Sequence, residues 1–67
     1  MILVNGEHSE LAPGATVQAV VARLGIEPEA RGIAVAVDGE VVPRAAWGTF
    51  ALSDEARVEV LTAMQGG

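Results

Sequence analysis

The 67-residue sequence contains no cysteine and no lysine. Without cysteine it can form no disulfide, thiolate metal site or iron-sulfur cluster, and it has no thiol nucleophile. Without lysine it has no side-chain amine for isopeptide self-conjugation. His8 is the sole histidine, so the hydroxyls of Ser9, Thr16, Thr49, Ser53 and Thr62 share at most one conventional base, and none sits in a G-x-S-x-G elbow. Positive charge is scarce as well. Arg23, Arg31, Arg44 and Arg57 stand against nine acids, for a formal net charge of -5. The electrostatic footprint that neutralises phosphates is therefore missing, which argues against nucleic acid as a partner. An acidic surface steers the chain instead toward basic patches on other proteins. The longest apolar run, Ile33 to Val37, is far short of the roughly 20 residues that span a membrane. Met1 to Val4 lacks the preceding positive charge of a targeting leader. A soluble cytoplasmic protein is the expectation. A domain of this size buries only about 60% of its unfolded surface, which argues against a deep catalytic pocket beside a core.

What is present punctuates the chain clearly. Met1 to Val4 is apolar and stops at Asn5-Gly6, a pair suited to a tight hairpin turn. The returning arm, residues 7–11, is mostly polar, as an edge strand can be, and Pro13-Gly14 ends it. Thr16 can cap a helix whose Val17, Val20, Val21 and Leu24 fall at i, i+3, i+4 and i+7, a single apolar stripe. Gly25 stops it, and residues 26–32 lead back to the sheet. Ile33, Val35 and Val37 then alternate with Ala34 and Ala36, giving one bulky core face and one shallow face that another backbone can approach. Asp38-Gly39 marks a second hairpin, whose return over Glu40 to Val42 is cut short by Pro43. Residues 44–54 hold the two aromatics, Trp47 and Phe50, without a clear period and read as an irregular crossover with Leu52 inward. Arg57 to Leu61 alternates charged and apolar residues like a strand with one wet face. Hairpin, helix, hairpin, crossover and strand, with the last strand beside the first, make the α+β, ubiquitin-like β-grasp arrangement. The β-grasp domain over residues 1–62 has a mixed sheet with one main helix packed on it, and a flexible tail follows at 63–67.

Side-chain chemistry is thin. Glu7, His8 and Glu10 lie on alternating faces of a strand and cannot converge on one ion, so His8 reads as a solvated edge histidine and no metal site is expected. Asp54, Glu55 and Glu59 read as a solvated acidic face. The glycines are dispersed turn residues without a phosphate-cradling context. No catalytic residue is assigned. Trp47 reads as a core lid in preference to a docking anchor, and Arg44 as a surface charge. The end of the chain differs, because Gly66-Gly67 lacks Cβ atoms and can thread a narrow channel to place its carboxylate in a partner's active site. A carboxylate must be activated before it can transfer, so a nucleotide-dependent enzyme is implied if the tail is used.

Asn5-Gly6-Glu7 after the first strand, Thr16-Val17 opening a helix that closes at Leu24-Gly25, and Ala34-Val35-Ala36-Val37 before an Asp-Gly turn occur in a specific order. Val42-Pro43-Arg44 with Trp47, Val58-Glu59-Val60 and the terminal Gly66-Gly67 complete it. In this order and spacing the chain resembles the ThiS family of thiamine-biosynthesis sulfur carrier proteins over nearly its full length. It departs from the family at Asp38, where asparagine is usual, and at Glu55-Ala56, where Gly-Asp is usual. The resemblance implies a protein co-substrate and not an enzyme. Gly67 would be adenylated by a ThiF-type enzyme using ATP, with no cofactor bound to the carrier itself, and converted to a thiocarboxylate. Sulfur from a donor such as a cysteine desulfurase would then pass to a ThiG-type thiazole synthase. Gly66, Gln65 and Met64 would give the tail access, and the face of Ala34, Ala36 and Leu61 would dock partners. Two alternatives remain: a carrier for another pathway, such as the small subunit of molybdopterin synthase, or a β-grasp interaction module with an inert tail.

Overall fold

In a computed structural model, which describes residues 1–27 and 29–62, two tight turns set the architecture. Asn5 and Gly6 adopt φ of 52° and 83°, and Asp38 and Gly39 adopt 51° and 87°. Two successive positive φ values are what a two-residue type I′ hairpin requires, and Asx-Gly tolerates them best. The first turn joins β1 (Ile2–Val4) to β2 (Glu7–Ser9), and the second joins β3 (Ile33–Val37) to β4 (Glu40–Val42). β2 is shorter than the expected arm over residues 7–11. Ser9 Oγ accepts the Leu11 N–H at 3.3 Å, a local bond that competes with the ladder, and Leu11 turns to pack against the core.

Helix α1 (Val17–Arg23) starts where Thr16 Oγ1 accepts the Ala19 N–H at 3.2 Å. Val17, Val20 and Val21 are buried, as the spacing predicts. Leu24 departs from that stripe and is 45% exposed. The reason lies in how the helix stops. Gly25, at φ 81°, donates to the Ala22 carbonyl at 3.0 Å, and the Ile26 N–H reaches back to the Val21 carbonyl at 3.2 Å. This is the Schellman pair of bonds. It leaves Leu24 at the cap and brings Ile26 against the core in its place.

β5 (Arg57–Thr62) completes a five-stranded sheet of order β2-β1-β5-β3-β4. It runs parallel to β1, pairing Leu3 with Arg57 and Val4 with Val58, and antiparallel to β3, from Val37 with Val58 to Ile33 with Thr62. The last strand thus lies at the centre, beside the first. α1 packs its valines on one face of this sheet, in one cluster with Ile2, Val35, Val58 and Val60. Side chains of this kind contribute about 1.5–3 kcal/mol each when fully buried.

The crossover after Pro43 is more ordered than its sequence suggests. It opens with one 3-10 turn, Arg44–Ala46, and carries Trp47 into the core at 3% exposure. The indole Nε1–H donates to the Val42 carbonyl at 3.0 Å. Arg44 is more than a surface charge: its guanidinium lies 4.6 Å from the Trp47 ring centroid and donates to the Ala30 carbonyl. Leu52 is buried as expected. Its N–H donates to Ala15 O and its carbonyl accepts from Gly14 N–H, both at 2.8 Å, so the crossover is stapled to the segment that leads into α1.

Candidate functional site

β5 sends Val58 and Val60 into the core and Arg57, Glu59 and Leu61 to the opposite face. Its register sets Leu61 opposite Ala34 and Glu59 opposite Ala36, while Val41 of β4 lies opposite Ala36 on the other side. Ala34, Ala36 and Leu61 therefore share one face of the sheet, away from the helix. Leu61 is 63% exposed and Val41 73%. The two alanines between them keep the surface shallow, and the Glu59 carboxylate charges its border. Apolar side chains gathered on an open sheet face suit a partner's surface better than solvent. Val41 escaped the sequence reading because Val41-Val42 hides the alternation. The two-residue turn at Asp38-Gly39 carried the missing signal, since it fixes Ala36 opposite Val41.

Both hairpin turns also grip β5. Asn5 N–H donates to the Val58 carbonyl at 2.8 Å, and Asn5 Oδ1 accepts the Val60 N–H at 2.8 Å. At the other end of the strand and on its other edge, Asp38 N–H donates to the Arg57 carbonyl at 2.8 Å, and Asp38 Oδ1 accepts the Arg57 N–H at 3.0 Å. Asp38 thus holds the conformation despite standing where asparagine was expected. The tail residues Met64, Gln65, Gly66 and Gly67, and the division placed at 63–67, lie outside the described residues.

The remaining candidates stay apart from this face or act structurally. His8 is exposed on the edge strand opposite Leu3, and Glu10 pairs with Arg23 at 3.7 Å. These residues border an open groove of about 620 Å³ between β2 and α1. Among the described residues, no three His, Asp or Glu side chains gather as a metal site would require. The Thr16 hydroxyl is engaged as the helix cap. Asp54 and Glu55 accept from the Met1 ammonium at 3.2 and 3.0 Å, and these bonds, Glu55 first, raise the amine above its ordinary pKa.

A mixed five-stranded sheet with a central final strand and one helix across a single face defines a ubiquitin-like β-grasp protein. More narrowly, the chain belongs to the ThiS family, whose family model matches residues 2–67. The crystal structure of the thiamine biosynthesis protein ThiS from Geobacter metallireducens is similar at TM-score 0.74 and 29% identity, covering 98% of this chain and 97% of that one. A solution structure of a thiamine biosynthesis protein from the same organism gives TM-score 0.77 at 29% identity, covering 98% and 86%. A thiazole synthase from Paramagnetospirillum magneticum is 29% identical over 66 residues, which make up 98% of this chain. The chain spans only 20% of the length of that curated relative.

Proposed function

We propose that this protein is a sulfur carrier of thiamine biosynthesis whose Gly67 carboxylate is the reacting group. A carboxylate oxygen attacks the α-phosphorus of ATP on a ThiF-type activating enzyme and pyrophosphate leaves. A persulfide sulfur on a donor such as a cysteine desulfurase then displaces AMP, breaking the acyl C–O bond and forming a C–S bond, and a thiol reductant cleaves the S–S bond of the resulting acyl disulfide. The resulting thiocarboxylate delivers its sulfur to a ThiG-type thiazole synthase. The carrier is consumed and regenerated in the cytoplasm as a co-substrate, and supplies no catalytic side chain.

The observation that carries this reading is that the family match runs through Gly66-Gly67. Three others support it. The chain has no thiol on which to hold sulfane sulfur, which leaves an acyl terminus as the handle. The apolar face of Ala34, Ala36, Val41 and Leu61 flanks the strand that leads to the tail. A protein named thiazole synthase contains a segment similar to this whole chain, which favours such a synthase as the acceptor. Intact-protein mass spectrometry after incubation with ATP, a ThiF-type enzyme and a sulfur source tests the reading. The expected result is a mass gain equal to exchanging one oxygen for sulfur, localised to the peptide ending at Gly67 and absent when Gly67 is deleted. No adduct with an enzyme proven active on another carrier overturns it in favour of a binding module.

A further inference from the structure

The first hairpin leaves one backbone pair facing outward. Val4 and Glu7 flank the two-residue turn and Ile2 lies opposite Ser9. These pairs exchange the hydrogen bonds of the β1–β2 ladder, and the Leu3–His8 pair between them does not. The Leu3 N–H agrees with this phase, since it donates to the Ala56 carbonyl on the side of β5. The N–H and carbonyl of His8 therefore point away from β1, along an edge that no strand covers among the described residues. Beside this edge runs the open groove of about 620 Å³ between β2 and α1. Its floor is apolar: Val20 is buried, Val4 and Leu11 are half-buried, and Leu24 at the helix cap is exposed. Its rim is acidic at Glu7 and Glu10. Arg23 reaches Glu10 at 3.7 Å, whereas Glu7 has no ion-pair partner among the described residues.

We propose that this groove is a second docking surface, which takes an extended segment of another protein as a sixth strand along β2. Alternate apolar side chains of that segment rest on Leu11 and Leu24, and basic residues flank them. An outward-facing donor and acceptor at a strand edge are a template for an incoming strand. In strand addition the main-chain bonds hold the backbone while alternate side chains fill the neighbouring pockets. Charge selects the occupant. A second copy of this chain would bring a further net charge of -5 and its own Glu7 and Glu10 to the same edge, so like charges oppose self-pairing. Lysine or arginine beside the apolar positions complements both carboxylates. The groove lies on the helix side of the sheet, so a segment held there leaves the outer face of Ala34, Ala36 and Leu61 accessible. The inference stands independently of the sulfur-carrier reading.

Nuclear magnetic resonance of the isotope-labelled full chain tests it with synthetic peptides blocked at both ends. The probes are Arg-Val-Thr-Val-Thr-Val-Arg, the same peptide with glutamate in place of both arginines, and the arginine peptide N-methylated on its central amides. Shift changes with the arginine peptide are expected at residues 7–11 and 20–24. The glutamate peptide should bind at least about fivefold more weakly, and the N-methylated peptide at least about tenfold. Leu24→Ser should weaken the arginine peptide at least about fivefold with the sheet resonances in place, and Glu7→Arg should cut the preference for arginine flanks to below about twofold. Leu61→Glu, on the outer face, should leave the affinity within about twofold. No shift change at about 2 mM arginine peptide overturns the proposal. So do shift changes centred on Ala34, Ala36 and Leu61, which would assign the peptide to the outer face, and equal binding of the arginine peptide and either control. Concentration-dependent shifts at residues 7–11 without peptide would overturn it in favour of a second copy at this edge.

Discussion

Trp47→Phe tests how far one side chain holds the crossover to the sheet. The indole is 3% exposed, and its N–H donates to Val42 O at 3.0 Å. Losing a buried hydrogen bond of this kind costs about 0.5–1.5 kcal/mol. The smaller ring deletes packing atoms and leaves a void, adding about 1–2 kcal/mol. Arg44, stacked 4.6 Å from the ring centroid, loses about 0.5 kcal/mol of attraction over a phenyl face. The sum is about 2–4 kcal/mol, against the roughly 3–10 kcal/mol expected in total for a domain of this size. Urea unfolding followed by far-ultraviolet circular dichroism measures it without relying on the fluorophore that the substitution removes. The midpoint should fall with an unchanged slope, and Tm should drop by about 8 °C or more. A loss below about 0.5 kcal/mol would refute the reasoning and mean that the Trp47–Val42 bond and the Arg44 stacking contribute nothing net.

Thr16→Ala removes the acceptor for the Ala19 N–H and should cost about 1 kcal/mol in urea unfolding, whereas Thr16→Ser should cost much less because it keeps the hydroxyl. Leu61→Glu places a charge beside Glu59 on the outer face at a site 63% exposed. It should shift stability by no more than about 0.5 kcal/mol while weakening binding to the proposed ThiF-type or ThiG-type partner at least about tenfold, measured by calorimetry. Unchanged affinity for both would remove this face from the docking surface.

The parts of the fold legible in the sequence are those fixed by neighbours in the chain. Asn5-Gly6 and Asp38-Gly39 announce their turns because only a few residue types tolerate two positive φ values in succession. Thr16 and Gly25 bracket α1 for equally local reasons. Alternation over Ile33–Val37 and Arg57–Leu61 separates the core face from the outer one within each strand, and the register then sets Leu61 beside Ala34. What was not legible depends on distant partners. Asn5 Oδ1 meets the N–H of Val60, 55 positions away, and no local pattern distinguishes that duty from turn formation. Arg44 finds its place through the Trp47 ring and the Ala30 carbonyl, and residues 44–54 show no period because loop hydrogen bonds to residues 14–18, not a repeated face, organise them. Leu24 fits the helical period and still points outward, since the Schellman stop redirects the chain one residue too early for it.

The central place of β5 also bears on how the protein is made. The sheet consists of two hairpins, β1–β2 and β3–β4, that are joined only through β5, and an isolated hairpin is at best marginally stable in water. During synthesis neither hairpin can be locked into the sheet until residues 57–62 have been translated. The chain then condenses around its own last strand, with contacts spanning nearly its whole length, such as Leu3 with Arg57. Such contacts fold more slowly than local ones. A ribosome that stops before this strand releases two unjoined hairpins, so the molecules that fold are those that have been read through β5.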